Sequence, residues 1–266
     1  MDRSRGPWAR FLARPNKDPV KALGMAGLIA LASAVTVSTV ATTMRPRQIA
    51  NVEAARQERM QAMVQALPGL RAVMEELGVT ELETRLVDLG TGRMMAEAAP
   101  GFDPVAAARD PETSIALPEE ADIAGLGRRE AQALVHLLAR DGAPKLVVLP
   151  VRGAGYQSTI SALLALEPDL NTIAALTVIE QAETPGLGAR IESEAWQALW
   201  PGRRIADETG VMRIEVVRGE AASPYEVDGI SGATRTGNGV AAMIRFWMGP
   251  WGYGPFLDRL EQEGMG

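Results

Sequence analysis

The apolar and polar positions divide the chain into distinct stretches. From Ala22 to Met44 no charged residue occurs. At about 1.5 Å per residue this run spans roughly 34 Å, enough for a hydrocarbon core of about 30 Å, and it predicts a transmembrane helix. Positions 22, 26, 30, 34, 38 and 42 are Ala, Ala, Ala, Ala, Ser and Thr. Small residues at every fourth position let another helix approach closely, although an alanine-rich composition gives the same row. Beyond Arg45-Pro46-Arg47, the stretch Gln48 to Leu77 mixes charged and apolar residues in a helical rhythm (Val52, Met60, Met63, Val64, Leu67), broken at Pro68-Gly69, and predicts a stalk helix.

Shorter periods follow. Leu82 to Leu89 with the Gly90-Thr-Gly92 turn predicts a strand and the start of a hairpin, and Ala98 to Ala121, rich in Pro, Ala and acids without periodicity, predicts a surface loop. Strands are predicted at Lys145 to Arg152, Thr159 to Leu166, Thr172 to Ala182 and Arg213 to Val217. Short helices are predicted near Ser193 to Leu199, Gly239 to Trp247 and Phe256 to Gln262. The fold class is α+β: a single N-terminal transmembrane helix, then a mixed α/β domain with an antiparallel-rich sheet. The expected division is a tail over 1–21, the span over 22–44, a stalk and strand/loop region over 45–121, and the main domain over 122–266.

Composition narrows the chemistry. The net charge of −6 and the lack of a basic strip argue against nucleic acid. With no cysteine the chain cannot hold an iron–sulfur cluster through thiolates or use a thiol nucleophile. The single histidine, His136, lies in the apolar run Ala133 to Leu138, where a half-buried structural role is favoured over metal binding and no metal site is expected. Six Lys/Arg precede the apolar span, and Arg45, Arg47, Arg56 and Arg59 follow it. That bias is modest and puts the N-terminus in the cytoplasm. A cleaved signal peptide is the competing reading, but the run is longer than the roughly 7–15 residues of such a segment, which favours an uncleaved anchor in the lipid bilayer.

The candidate chemistry centres on Asp228-Gly-Ile-Ser-Gly-Ala-Thr234. Gly232 and Ala233 leave the Thr234 hydroxyl accessible to a modifying enzyme. Asp228 and Gly229 can order the loop or be recognised by that enzyme. Thr236 and Asn238 suit the N-cap of a helix starting at Gly239, whose free N–H groups and dipole favour a phosphate on Thr234. Ser231 and Thr236 are further candidate donors. Taken alone, Ser-Gly-Ala-Thr is better read as an ordinary loop leading into a helix cap. A second element, Glu183-Thr184-Pro-Gly186-Leu187-Gly188, turns sharply after an apolar strand; its glycines let a ring approach the main chain and Leu187 can cover it. A third, Gly153-Ala-Gly-Tyr-Gln-Ser158, offers two glycines and an aromatic.

Together these stretches resemble the C subunits of the sodium-translocating NADH:quinone reductases. The resemblance also runs through Val87 to Gly92, Asp122-Ile-Ala with Arg128-Arg129, Leu149 to Gly155, and Phe246-Trp247 with Gly252 to Phe256. It implies an FMN-binding domain on the outer face of the bacterial inner membrane, with FMN joined covalently through its phosphate to Thr234 by a flavin transferase of the ApbE type. Ser231, Gly232, Ala233, Thr236, Glu183, Thr184, Gly186, Leu187 and Gly188 are the residues expected around the cofactor, with Asp228 and Gly229 for transferase recognition. It further implies electron transfer from an iron–sulfur centre of the membrane subunits to the flavin of another subunit, on the way from NADH to ubiquinone. The chain departs from the family pattern at Gln181, often histidine, at Tyr156 and Gln157, and at Arg235 and Gly237. The nearest alternative is the G subunit of an Rnf-type complex; the insert Leu82 to Ala121 and the tail Gly252 to Phe256 favour the quinone reductase. A membrane-anchored structural or assembly module is the alternative from another class.

Overall fold

The computed structural model describes residues 7–15, 18–31, 33–34, 78, 81–95, 102–140 and 143–263. The chain divides into two compact units, Met1–Gln57 and Glu58–Gly266. In the first, Pro7–Leu12 is helical and a second helix runs over residues 19–31. Leu23, Ile29 and Leu31 of this second helix are exposed. No helix among the described residues is long and apolar enough to cross a membrane. Much of the predicted span, residues 35–44, and the predicted stalk over 48–77 lie outside the described residues.

The second unit is built on a six-stranded sheet. Its strands are β1 (Glu81–Asp88), β2 (Met94–Met95), β5 (Gln132–Arg140), β6 (Ala143–Ala154), β7 (Thr159–Leu166) and β8 (Ile173–Glu180). They lie in the order β2-β1-β5-β6-β7-β8, every pair antiparallel. Outside the sheet, β3 (Ser114–Ala116) pairs antiparallel with β4 (Arg128–Glu130), and β9 (Glu215–Val217) pairs with β10 (Glu226–Asp228) in parallel. The predicted strands recur as β1, β6, β7, β8 and β9. β1 comes from the expected 45–121 region and lies in the same sheet as β5 to β8.

Alternation along the strands divides the apolar residues between two faces. Val135, Val147, Leu149, Ile160, Leu164 and Leu176 belong to the main core with Val240, Met243, Ile244 and Trp247 of the helix Thr234–Met248. Leu138, Leu146, Val148, Leu163 and Ala175 form a separate cluster. Pro150 sits in β6 beyond the last residue paired with β5, Val148, where its missing N–H breaks no bond to that strand. Its carbonyl accepts the Tyr253 hydroxyl at 2.8 Å.

Two motifs far apart in sequence meet at the end of this core. Gly92 takes a positive φ of 70°, and a Cβ there would run into the Pro255 carbonyl. Arg259, on the helix Gly254–Glu263, donates to the Thr91 carbonyl at 2.8 Å. The Gly90-Thr-Gly92 turn therefore docks on the C-terminal helix.

The structure corrects two expectations. The stretch predicted as a loop over 98–121 contains the helix Pro104–Arg109 and strand β3. Asp103 caps that helix by accepting from the Val105 and Ala106 amides, and Pro104 occupies its first turn, where no N–H is needed. The helix predicted from Gly239 begins at Thr234. The apolar run around His136 is strand β5, in which the His136 Nδ1 lies 2.9 Å from the Thr84 hydroxyl of β1.

Candidate functional site

The loop Asp228 to Thr234 is held at both ends. At its start, the Asp228 carboxylate accepts the Ala221 amide at 2.7 Å and the Asp228 carbonyl accepts the Trp196 indole N–H at 2.9 Å. A Cβ on Gly229 would run into the Val217 carbonyl oxygen, so glycine is what lets the loop leave β10 beside β9. Gly232 then adopts φ +81°, and the turn closes by the Ala233 amide donating to the Ile230 carbonyl at 2.9 Å. Thr234 is the first residue of the helix. Ala233 occupies the N-cap with no side-chain hydrogen bond, and the first turn contains no acid. The first amide to bond back into the helix is that of Gly237, to Ala233 at 3.0 Å. The helix thus presents its positive end, without a capping side chain, beside the half-buried Thr234.

Two clefts flank the loop. Residues 229–234 with Val216, Val217, Arg218 and Gly219 line one of about 440 Å³. The other, about 330 Å³, lies between residues 228–231 and Arg190, Ser193, Trp196 and Leu199. The larger has the size of small-molecule pockets, roughly 300–1,000 Å³, and Thr234 is on its wall.

The Glu183 turn is joined to this loop. Its carboxylate accepts from the backbone amides of Tyr156, Gln157 and Ser158 at 3.1, 2.9 and 3.0 Å, and from the Ser158 hydroxyl at 2.9 Å. The Thr236 hydroxyl donates to it at 2.6 Å. Burial pushes the carboxyl upward, but these donors, the Thr236 hydroxyl foremost, outweigh it and hold the group at about 2. Glu183 is therefore ionised at neutral pH and engaged by the protein itself.

The remaining residues of the turn pack tightly. The Thr184 carbonyl accepts the Leu187 and Ala189 amides, both at 3.1 Å. Gly186 takes φ +76°. A Cβ on Gly188 would come within 2.7 Å of the Thr236 hydroxyl and 2.9 Å of Glu183 Cβ. Leu187 is exposed and reaches over Gly232, where an added Cβ would lie 2.9 Å from its side chain. Gly155 and Gly239 complete the fit: a side chain on Gly155 would come within 2.6 Å of Glu183 Oε1, and one on Gly239 would run into the Ala154 carbonyl.

The three sequence elements thus form one site, uniting Ser231, Gly232, Ala233, Thr234, Glu183, Gly186, Leu187 and Gly188. The Thr236 hydroxyl, expected as a donor to a bound anion, commits its single proton to Glu183. Ser231 remains exposed in the loop. The side-chain carbonyl of Gln181 accepts the Glu183 amide at 2.5 Å, a role that requires no titrating group. Sequence reasoning missed the Ser158 hydroxyl, which also accepts the Ala182 amide at 2.9 Å, and the contact between Arg235 and the Tyr156 ring. The glycines of the 153–158 stretch were the available signal.

Residues 155–249 match the FMN-binding domain family. The C subunit of the Na(+)-translocating NADH-quinone reductase from Vibrio parahaemolyticus is 38% identical over 261 residues, covering 96% of this chain and 100% of its own length. The chain belongs to the NqrC family, the C subunits of Na(+)-translocating NADH-quinone reductases. Its Pseudomonas aeruginosa relative is 35% identical over 250 residues, covering 91% of this chain and 96% of its own. The crystal structure of Shewanella oneidensis NqrC superposes with a TM-score of 0.70 at 32% identity, over 79% of this chain and 99% of that one. The match to the FMN-binding domain includes the 155–158 loop, the Glu183 turn and the Thr234 loop. Their features suit FMN: an uncapped helix end for the phosphate, open space beside Gly186, and an exposed leucine for an apolar ring.

Proposed function

We propose that this chain is the electron-carrying flavoprotein subunit of a Na(+)-translocating NADH:ubiquinone reductase, with FMN joined through its phosphate to the Thr234 hydroxyl. The observation that carries the reading is the position of Thr234: first residue of an uncapped helix, on the wall of a 440 Å³ cleft, inside the stretch matched by the FMN-binding family. The helix end and the loop amides bind the phosphate. Gly232 and the Glu183 turn hold the surrounding main chain in place, and Leu187 shields the ring from water. The cofactor supplies one-electron chemistry. The electron comes from an iron–sulfur centre in the membrane subunits and passes to the flavin of another subunit.

A flavin transferase of the ApbE type makes the bond with Mg²⁺: the Thr234 oxygen attacks the FMN phosphorus of FAD, the pyrophosphate bond breaks, and AMP leaves. The uncharged and largely exposed residues 22–31 support a single-pass anchor across 22–44, with the N-terminus in the cytoplasm and the main domain in the periplasm. Division into 1–21, 22–44, 45–121 and 122–266 follows from that topology.

The test is labelling. Protein made with transferase, FAD and Mg²⁺ is expected to give a fluorescent band on a denaturing gel, absent in Thr234→Ala. A fluorescent Thr234→Ala band places the bond elsewhere, and an unlabelled wild type overturns the flavoprotein reading. Because the chain has no cysteine, single cysteines at Ser4 and Glu208 report topology cleanly with an impermeant maleimide. Labelling of Glu208→Cys but not Ser4→Cys in intact spheroplasts is expected; the reverse pattern overturns the orientation.

A further inference from the structure

Arg235 follows the proposed attachment residue directly, and its guanidinium carbon lies 5.4 Å from the centroid of the Tyr156 ring. Both side chains are exposed, Tyr156 to 55%. The Tyr156 backbone is nevertheless fixed, because its amide donates to Glu183 at 3.1 Å. No carboxylate among the described residues forms an ion pair with Arg235.

A cation in the first turn of a helix opposes the helix's own positive end. Attraction to an exposed aromatic face is of similar size. The two effects offset, so the pair contributes little to the empty fold. The balance changes when negative charge enters the site, because the guanidinium, which never loses its proton, then has a partner.

We infer that Arg235, steadied by the Tyr156 ring, raises the reduction potential of the flavin by offsetting the charge the ring gains with each electron. This rests on the proposed attachment of FMN at Thr234. The ring gains one electron from the preceding carrier and yields one to the next. Arg235 makes and breaks no bond and keeps its proton throughout. Tyr156 is a positioning residue, acting only through Arg235.

The test is spectroelectrochemical titration of the full-length, flavinylated protein in detergent, at low and high salt. Arg235→Leu is expected to lower the preference for the reduced flavin about tenfold, a downward shift of about 59 mV for a one-electron couple. Arg235→Lys, which keeps the charge, is expected to recover most of the shift. Tyr156→Leu is expected to give a smaller downward shift that deepens with salt, because the freed guanidinium moves into solvent and is screened. Fully flavinylated Arg235→Leu with the wild-type midpoint overturns the inference and leaves the attachment reading intact. Wild type without covalent flavin overturns the attachment reading itself.

Discussion

The hydroxyl of Thr236 and the carboxylate of Glu183, 2.6 Å apart, join the first turn of the Thr234 helix to the turn that faces it. Through the other oxygen of Glu183 the same connection reaches the Gln157 and Ser158 amides. One buried carboxylate thus holds three segments in register.

Removing either partner is expected to loosen all three. Thr236→Val keeps the shape and loses a bond to a charged group, at a cost of about 1.5–3 kcal/mol. Glu183→Gln turns an amide toward donors that need acceptors, and a loss of about 3 kcal/mol is expected. Urea unfolding should show both shifts, with covalent flavin yield lower in both variants. A Glu183→Gln midpoint equal to wild type would show that the connection is not structural.

Acid should weaken the fold in two stages. Burial holds His136 at about 4 against an ordinary 6.5. The unfolded chain therefore takes up a proton that the folded one refuses, and stability falls as pH drops from about 6.5 to 4, by on the order of 3 kcal/mol. Glu183, at about 2 against an ordinary 4.5, contributes stability that is complete above 4.5 and lost as pH falls through 2. Thermal midpoints of His136→Gln should decline less than wild type between pH 6.5 and 4. Because His136 is the sole histidine, its NMR resonance can be followed without ambiguity, and a titration midpoint near 6.5 would contradict its burial.

Gly239 sets helix propensity against packing. Alanine in a helix interior is favoured over glycine by about 1 kcal/mol. Here a Cβ would run into the Ala154 carbonyl, and backbone cannot yield as a flexible side chain does. Gly239→Ala is therefore expected to destabilise by about 1–3 kcal/mol. The exposed neighbour Asn238→Ala should be neutral or slightly stabilising. Chemical unfolding of the two variants distinguishes propensity from packing.

Arg152 and Glu130 form a buried ion pair that includes an Arg152 Nη1 to Glu130 Oε1 bond of 2.7 Å. The same guanidinium lies 5.4 Å from the Trp247 ring centroid. Arg152→Met leaves a carboxylate with 3% side-chain exposure and is expected to cost about 3–5 kcal/mol. Adding Glu130→Leu should recover part of the loss, though Arg129 remains buried beside it. A double-mutant cycle by denaturant unfolding measures the coupling, and additive losses would show that the pair does not act as a unit.

Periodicity disclosed most of the sheet, and its failures have physical causes. β7 was legible because a run of apolar residues follows the loop after Gly155. β5 was not: 132–140 reads as an apolar run, and periodicity alone does not separate a strand buried on both faces from a helix. Pro104 suggested a loop, yet Asp103 makes it a helix start. Thr236 and Asn238, as N-cap residues, suggested a helix beginning at Gly239, whereas it begins at Thr234, and Gly237 and Gly239 are bare because Val216 and the Ala154 carbonyl lie against them. Thr234 and the Glu183 turn were visible as site elements. The partners of Glu183 were not, because they come from the loop between β6 and β7 and from a helix that only the folded chain brings together.

The saturated carboxylate of Glu183 also bears on the order of assembly. Every donor it uses belongs to this polypeptide, so the cavity beside Thr234 is shaped before any cofactor arrives. Attachment can then act on a rigid template instead of requiring a disordered loop to fold around its guest, and a domain awaiting its flavin should withstand proteolysis nearly as well as a loaded one.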